Sequence, residues 1–74
     1  MSDIKIGGIY THYKKLEQKY KIIGIAFNTE TEEDMVIYQP QYENEHAYFV
    51  RPLRMFLEEV EFEGKKVPRF QLQN

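Results

Sequence analysis

Apolar and polar side chains alternate with a period of two along most of this 74-residue chain, a pattern that is typical of strands. The clearest case is residues 59–63, in which three glutamates alternate with Val60 and Phe62. Over residues 9–14, Ile, Thr and Tyr alternate with Tyr, His and Lys. A helical spacing of apolar residues is confined to one short segment, so the pattern predicts an all-β, or mainly β, protein.

Glycine, proline and polar runs divide the chain into five or six short strands. Further strands are predicted at residues 19–28, 34–40, 46–52 and 66–72. Gly64 is expected in the hairpin turn before the last strand, and Pro68 is expected to place that strand at a sheet edge. Gly24, in the middle of the second strand, indicates a bend or a close approach of another backbone segment.

Two segments contain helix formers. Residues 14–20 are too few for a helix that stands alone, so we interpret them as the elongated tip of a hairpin. Pro52 suits the start of a helix. Leu53, Phe56 and Leu57 follow at spacings of three and four, which predicts one helical turn.

Together these elements describe one small domain over residues 1–74. We predict an SH3-like barrel of five to six strands with one short helical turn, and an OB-like barrel is the alternative. Residues 1–6 and 71–74 are expected to be frayed ends.

Composition restricts the compartment and the chemistry. The chain has no cysteine, which excludes disulfides, thiolate metal sites and cysteine catalysis. The first residues lack the apolar core of a signal peptide, and the longest apolar stretch, residues 22–27, is too short to span a bilayer. We therefore expect a soluble cytoplasmic protein that does not associate with membranes.

Charge is unevenly distributed along the chain. Residues 1–27 carry a net charge of +3, residues 28–45 carry −6 and residues 46–74 carry +1. The overall charge of −2 argues against strong nonspecific binding to nucleic acid. The simplest interpretation is that oppositely charged segments face each other within one small fold.

No constellation of residues indicates catalysis. The sequence lacks a Gly-x-Ser-x-Gly nucleophile elbow. His12 is the candidate general base, but a lone histidine on a strand is more often a surface or packing residue. His12 and His46 are far apart in sequence and neither has a second metal ligand at a suitable spacing. We predict no enzyme activity, no cofactor and no metal.

The best candidate for a surface site is the stretch YTHYK, residues 10–14. Tyr10, His12 and Lys14 share one face of the predicted strand, and such a face can stack on a base or hold an anion. The alternative is that this is the polar outer face of a barrel strand. Arg69 is a further candidate, although it can instead pair with a glutamate of the preceding strand.

Arg51 is unusual because it lies in an apolar strand, directly before Pro52. By alternation it shares a face with Phe49, so we expect it at the margin of the core, where a cation needs a partner. We predict an ion pair of Arg51 with Glu30 or Glu32, which would fasten the loop after the second strand to the end of the fourth. The Arg51–Pro52 corner is also a candidate part of a binding surface.

Several motifs then occur in a fixed order: Gly-x-Tyr-x-His-Tyr-Lys, Glu-Thr-x-Glu, Val-x-Tyr, Val-Arg-Pro-x-x-Met-Phe-x-Glu-x-Val and Pro-Arg-Phe. In this order they resemble the bacterial family catalogued as domain of unknown function 1653. The matching residues are Gly8, Tyr10, His12, Tyr13, Lys14, Ala26, Glu30, Thr31, Glu32, Val36, Tyr38, Val50, Arg51, Pro52, Met55, Phe56, Glu58, Val60, Pro68, Arg69 and Phe70.

The chain departs from the pattern of this family in three places. Asn28 replaces a histidine, Phe49 replaces a tryptophan, and the longer segment KKLEQ replaces a glycine after the first lysine. If the missing histidine formed a catalytic or metal pair with His12 in the family, this chain would lack that pair. The resemblance implies the domain and a bacterial origin, and it implies no activity.

The sequence therefore predicts a non-catalytic binding module, a monomer or weak homodimer, whose partner is a protein or a peptide. An edge near the last strand could accept an extended peptide by strand addition. The predicted surface consists of Tyr10, His12, Lys14, Arg51, Pro52 and Arg69. The alternative is nucleic-acid or nucleotide binding through the Tyr- and Lys-rich first hairpin, with lysines at positions 14, 15, 19 and 21.

Overall fold

The computed structural model describes residues 4–73. Within these residues the chain forms strands and one helical turn, in the order β1 (Ile9–His12), β2 (Lys15–Asn28), β3 (Glu33–Pro40), β4 (Phe49–Pro52), α1 (Leu53–Phe56), β5 (Glu59–Phe62), β6 (Lys65–Pro68) and β7 (Phe70–Leu72). The prediction of a mainly β protein with one helical turn after the fourth strand is confirmed.

The strands form a five-stranded antiparallel sheet with the order β4-β3-β2-β1-β7 and a separate β5-β6 hairpin. No ladder of hydrogen bonds joins the edge strands β4 and β7 within residues 4–73, so a closed barrel is not found. The reason lies in the last third of the chain. It leaves the sheet after β4, forms its own hairpin, and returns to pair with β1 alone.

The first hairpin explains how residues 14–20 fit the sheet. Tyr13 and Lys14 form the turn, and His12 pairs with Lys15 across it. Thr11 pairs with Lys19, so the register shifts between Thr11 and His12 and the intervening residues of β2 bulge outward. The predicted hairpin tip is thus the first part of a strand of 14 residues.

The expected bend at Gly24 corresponds to a second register shift, between Ile22 and Gly24 in the β2–β3 ladder. Gly64 lies in the β5–β6 turn at φ +80°, next to Glu63 at φ +52°, as a tight hairpin turn requires. The strand predicted over residues 66–72 is divided at Arg69. Its second part, β7, forms the sheet edge that was expected for the whole segment.

An aromatic core covers one face of the sheet. Its buried members are Tyr10, Tyr20, Ile22, Val36, Tyr38, Phe56 and Phe70. The helical turn α1 contributes Phe56, whose ring stacks parallel to that of Phe70 with centroids 4.1 Å apart. The same ring meets Tyr10 edge to face at 5.5 Å. Rings in these arrangements add attraction beyond the burial of their area, which suits a domain with a small core.

The two chain ends also contact the sheet. Ile4 packs against the core. At the other end, Gln71 and Leu72, which we expected to be frayed, pair with β1. The backbone N–H of Gln73 donates to the carbonyl of Ile9 at 2.8 Å, so hydrogen bonding continues beyond β7. Residues 1–3 and 74 lie outside the described residues.

Candidate binding pocket

A pocket of about 320 Å³ opens at the core face of the sheet, between its two edge strands. Its lining comes from all five strands of the sheet and from the first turn. The lining residues are His12, Lys14, Lys15, Gln18, Tyr20, Tyr38, Phe49, Arg51 and Phe70. Positive and aromatic side chains therefore dominate the lining, and it includes no carboxylate.

The strand register brings these side chains to one face. Tyr38 of β3 lies directly opposite Phe49 of β4, and His12 of β1 lies directly opposite Phe70 of β7. Side chains of directly paired residues project from the same face of a sheet. Two cross-strand pairs from opposite halves of the sheet thus form the sides of the pocket, with Tyr20 of β2 between them.

The aromatic rings of the lining are packed edge to face. Tyr38 meets Phe49 at 5.6 Å and Phe70 at 5.7 Å, and Tyr20 meets Phe70 at 5.9 Å. Tyr20, Tyr38 and Phe70 are at most 7% exposed, whereas Phe49 and His12 are half-buried. The floor of the pocket therefore consists of aromatic rings packed against each other, and it offers little free ring surface.

Arg51 projects across the opening between the sheet edges. Its Nε donates a hydrogen bond to the hydroxyl of Tyr38 at 3.3 Å. Its guanidinium carbon lies 5.4 Å from the centroid of the Phe70 ring, a cation–π distance. Arg51 of β4 thereby contacts Phe70 of β7. This side-chain contact connects the two edge strands, which no backbone ladder joins within residues 4–73.

The predicted ion pair of Arg51 with Glu30 or Glu32 is absent from the described part of the chain, where no ion pair involves Arg51. The turn between β2 and β3 folds on itself instead. The Oδ1 of Asn28 accepts the backbone N–H of Glu30 at 2.9 Å, and Glu32 adopts φ +59°. This turn follows the end of the β2–β3 ladder, whereas Arg51 pairs with Val36 further along β3.

Arg54 of α1 takes the role that we expected of Arg51. Its Nε donates to Glu33 at 3.0 Å, and Glu33 directly follows the turn between β2 and β3. A second pocket, of about 270 Å³, lies beside this pair and is lined by Glu33, Asp34, Leu53 and Arg54. Because Glu33 already pairs with Arg54 there, that pocket has no unpaired cation to offer an anionic ligand.

Two roles were predicted for Arg69, a place in a surface site or a pair with a glutamate, and the structure contains the pair. Its Nη2 contacts the carboxylate of Glu58 at 2.9 Å, and its backbone N–H donates to the Glu58 carbonyl at 3.0 Å. Glu58 immediately precedes β5. The Nε atom of Arg69 is buried and has no hydrogen-bond partner within residues 4–73. Arg69 thus fastens the second hairpin to the sheet and does not line the pocket.

The structure separates the six residues of the predicted surface. His12, Lys14 and Arg51 line the pocket together. Tyr10 does not belong to this surface: it is 6% exposed, lies in the core, and accepts a hydrogen bond from the Lys5 backbone N–H at 3.1 Å. Tyr10 and His12 do share a face, because β1 pairs with β7 without a register shift, but it is the core face of the sheet, which is covered at Tyr10 and open at His12.

Pro52, another predicted surface residue, lies at the N-cap position of α1, half-buried and outside the pocket lining. Sequence reasoning missed Gln18, Tyr20, Tyr38, Phe49 and Phe70 as lining residues, and it named Lys15 only for the nucleic-acid alternative. Their aromatic members alternate on strands, which is the ordinary signature of a core, and nothing in the pattern distinguishes a core ring from the floor of a pocket.

The electrostatics of the lining are positive. Burial lowers the pKa of His12, and the positive charges of Arg51, Arg69 and Lys14 lower it further. Burial raises the pKa of Tyr20, and the hydrogen bond that its hydroxyl shares with Tyr42 at 3.1 Å adds to the shift. Both shifts keep the groups uncharged at neutral pH, so the lining carries only the charges of its arginine and lysines.

Within residues 4–73, no three His, Asp or Glu side chains are grouped closely enough to hold a metal ion. No helix of the described chain is long and apolar enough to cross a membrane.

Comparison with known proteins gives the chain a family. The family model described as "Protein of unknown function (DUF1653)" matches residues 8–72. A crystal structure of a protein belonging to DUF1653 from Bordetella bronchiseptica is similar, with 33% sequence identity and a TM-score of 0.78 over 92% of this chain and 85% of that chain. No curated protein matches the chain. The match over nearly the whole sequence agrees with the motif resemblance: this chain belongs to the DUF1653 family.

Proposed function

We propose that this domain is a non-catalytic binding module whose pocket holds an anionic group of a peptide or protein partner. One observation carries the proposal. Arg51 is half-buried at the pocket, and its contacts are the neutral hydroxyl of Tyr38 and the ring of Phe70. No ion pair within the described residues neutralises it.

A half-buried cation without a counter-charge favours binding of an anion. Partial burial removes water from the guanidinium, and neither a hydroxyl nor an aromatic ring replaces the lost hydration fully. Charge-assisted hydrogen bonds to an anion are about twice as strong as neutral ones and would satisfy the remaining N–H groups of Arg51. Lys14 and Lys15, exposed at the rim, would add long-range attraction.

Charge and ring packing favour a peptide over a nucleic acid. The chain as a whole is acidic, and residues 28–45 carry a net charge of −6, which would repel a polyanion that extends beyond the pocket. Binding of single strands usually relies on exposed ring faces for stacking. Three of the four Tyr and Phe rings in the lining are buried and packed edge to face, so they do not offer such faces.

The sheet edges give a peptide a second means of attachment. Strands β4 and β7 flank the pocket, and within residues 4–73 each pairs with the sheet on one side only. An extended peptide can add to such an edge through backbone hydrogen bonds. Tyr48 and Val50, beside and within β4, are 57% and 59% exposed and would contact alternate side chains of that peptide.

The test is an amide ¹H–¹⁵N NMR titration with short peptides that contain aspartate or glutamate. We expect shifts concentrated on His12, Lys14, Lys15 and Arg51, and we expect Arg51→Gln to weaken binding about tenfold or more, because it removes a charge-assisted contact. Arg54→Gln is the matched control: it makes the same change of charge nearby, outside this pocket.

Equal weakening by both variants would mean that only overall charge matters, and would refute the proposal. Single-stranded RNA and mononucleotides form a parallel series. Binding of RNA with a steep dependence on salt, in the absence of peptide binding, would favour the nucleic-acid alternative instead.

A further inference from the structure

We infer that the anionic group is a singly charged carboxylate, that Arg51 supplies its counter-charge, and that uncharged His12 supplies a second hydrogen-bond donor through Nε2. This inference deepens the proposed function and rests on it. It assigns a specificity to the pocket, a carboxylate in preference to a phosphate ester, and it assigns His12 a role in binding that needs no proton transfer.

The first step is the tautomer of His12. The backbone N–H of Lys14 donates to Nδ1 at 3.2 Å, so Nδ1 must carry a lone pair. In a neutral imidazole the hydrogen then resides on Nε2. The ring is held in place by Phe70, edge to face at 5.2 Å, and by Tyr13 at 4.8 Å. Protonation of Nδ1 would break the hydrogen bond to the turn.

The second step is the charge of His12. The groups that surround the ring are cationic from each neighbouring element: Arg51 of β4, Arg69 before β7, and Lys14 of the turn. Lys15 of β2 lines the same pocket, together with the hydroxyl-bearing rings of Tyr20 and Tyr38. The carboxylate of Glu58 pairs with Arg69. Burial lowers the pKa of His12 below its ordinary value, and the positive charges of Arg51, Arg69 and Lys14 lower it further, so the ring stays neutral at neutral pH.

The third step compares the charge of the pocket with that of its ligand. Arg51 is the one half-buried cation in the lining, whereas Lys14 and Lys15 are exposed and their attraction is screened by water and salt. A carboxylate brings one negative charge and two acceptor oxygens. The guanidinium of Arg51 balances this single charge, and Arg51 and the Nε2–H of His12 supply donors for the two oxygens. A phosphate monoester carries a charge of about −1.5 to −2 and would retain an uncompensated charge in the half-buried site.

The experiment uses the intact chain with ¹⁵N-labelled histidine and four probes on one peptide backbone. These are a glutamate peptide, a glutamine peptide and a phosphoserine peptide, each with an amidated C-terminus, and the glutamine peptide with a free C-terminus. Comparison of the glutamate peptide with the peptide that has a free C-terminus distinguishes a side-chain carboxylate from a C-terminal carboxylate. Imidazole ¹⁵N shifts report the tautomer of His12 directly, even if a variant folds poorly.

We expect carboxylate peptides to bind at least tenfold more tightly than the phosphoserine peptide, with His12 remaining the Nε2–H tautomer in the complex. His12→Gln, which keeps a neutral donor, should bind within about threefold of the natural chain, and His12→Ala should bind up to about tenfold more weakly. Affinity should change little between pH 7 and 8, where His12 and the carboxylate keep their charges.

Three results would overturn the inference. A preference for phosphoserine that still depends on Arg51 would refute the carboxylate specificity and leave the proposed function standing. A charged His12 in the complex at pH 7.5 would refute the neutral-donor role alone. Absence of any Arg51-dependent shift with all peptides would refute the proposed function, and the inference with it.

Discussion

At the scale of single residues, the charge of the pocket depends on side chains from strands that are not neighbours in the sheet. Arg51 belongs to β4 and His12 to β1, yet both line the same pocket and the positive charge of Arg51 lowers the pKa of His12. Phe70 connects them, because it contacts the guanidinium on one side and the imidazole on the other. Removal of the Arg51 charge would therefore change the electrostatic environment of His12.

The lowered pKa of His12 gives a pH dependence of stability with a defined sign. A histidine whose pKa is lower in the folded protein binds protons preferentially in the unfolded chain, so the free energy of unfolding falls as the pH falls through the unfolded value of about 6.5. This loss of stability stops increasing once the pH is below the pKa of His12 in the folded protein. Urea denaturation between pH 7.5 and 5 measures the free energy of unfolding at each pH.

His12→Gln should flatten this part of the pH profile, since it removes the titrating group. His46→Gln is the matched control, because His46 lies on the exposed segment before β4, with 66% of its side chain accessible. An unchanged profile in His12→Gln would contradict the assignment of the pH dependence to His12.

At the scale of elements, the second hairpin differs from the rest of the fold. β5 and β6 pair only with each other within the described residues. Their contacts with the sheet include those of Arg69 with Glu58 and with the Tyr13 backbone, and the edge-to-face contact of Phe62 with the Tyr13 ring at 5.5 Å. The hairpin depends strongly on its turn, because an isolated two-stranded ribbon is marginally stable in water.

Two glycines allow this dependence to be tested. A Cβ atom at Gly64 or at Gly24 would meet no neighbouring atom within 4 Å, but Gly64 has φ +80° and Gly24 does not have a positive φ. We expect Gly64→Ala to lower the free energy of unfolding by about 1 kcal/mol, and Gly24→Ala to be neutral or slightly stabilising. Chemical denaturation measures both, and equal effects would argue against backbone strain as the cause.

At the scale of the whole molecule, the sheet is curled but open. Strand β2 lies in its middle with neighbours on both sides, whereas β4 and β7 are edges that side chains alone connect. Within the described residues, the molecule therefore combines a centre that is hydrogen-bonded on both sides with edges that pair on one side only. The peptide that we propose as a partner would add to such an edge without disrupting the core.

Native-state hydrogen exchange should resolve these regions. Amides of the β2–β3 ladder around Ile22 and Tyr38 are expected to exchange only through global unfolding, which slows them roughly a thousandfold or more in a small domain. Amides of the β5–β6 hairpin should exchange earlier, through local opening. Uniform protection in both regions would show that the hairpin and the sheet unfold as one unit.

Much of the fold follows from local pattern. Period-two alternation predicts the strands, Gly64 the hairpin turn, and the spacing of Leu53 and Phe56 the helical turn, and the structure contains each of these. These features depend on backbone geometry and on which side chains avoid water, and both are encoded in neighbouring residues. The division of the last predicted strand at Arg69 was missed, because alternation does not reveal where a chain changes sheets.

Only the tertiary structure decided how the charged and aromatic residues combine. The sequence by itself determined a mainly β chain, a cation at the core margin and a family; it did not determine that Arg54 rather than Arg51 meets the acidic turn. Nor did it determine that Tyr10 is buried while His12 lines a pocket. Both outcomes depend on contacts between parts of the chain that are distant in sequence: α1 brings Arg54 to Glu33, and Phe56 of the same turn packs against Tyr10. No local pattern of residues records such contacts.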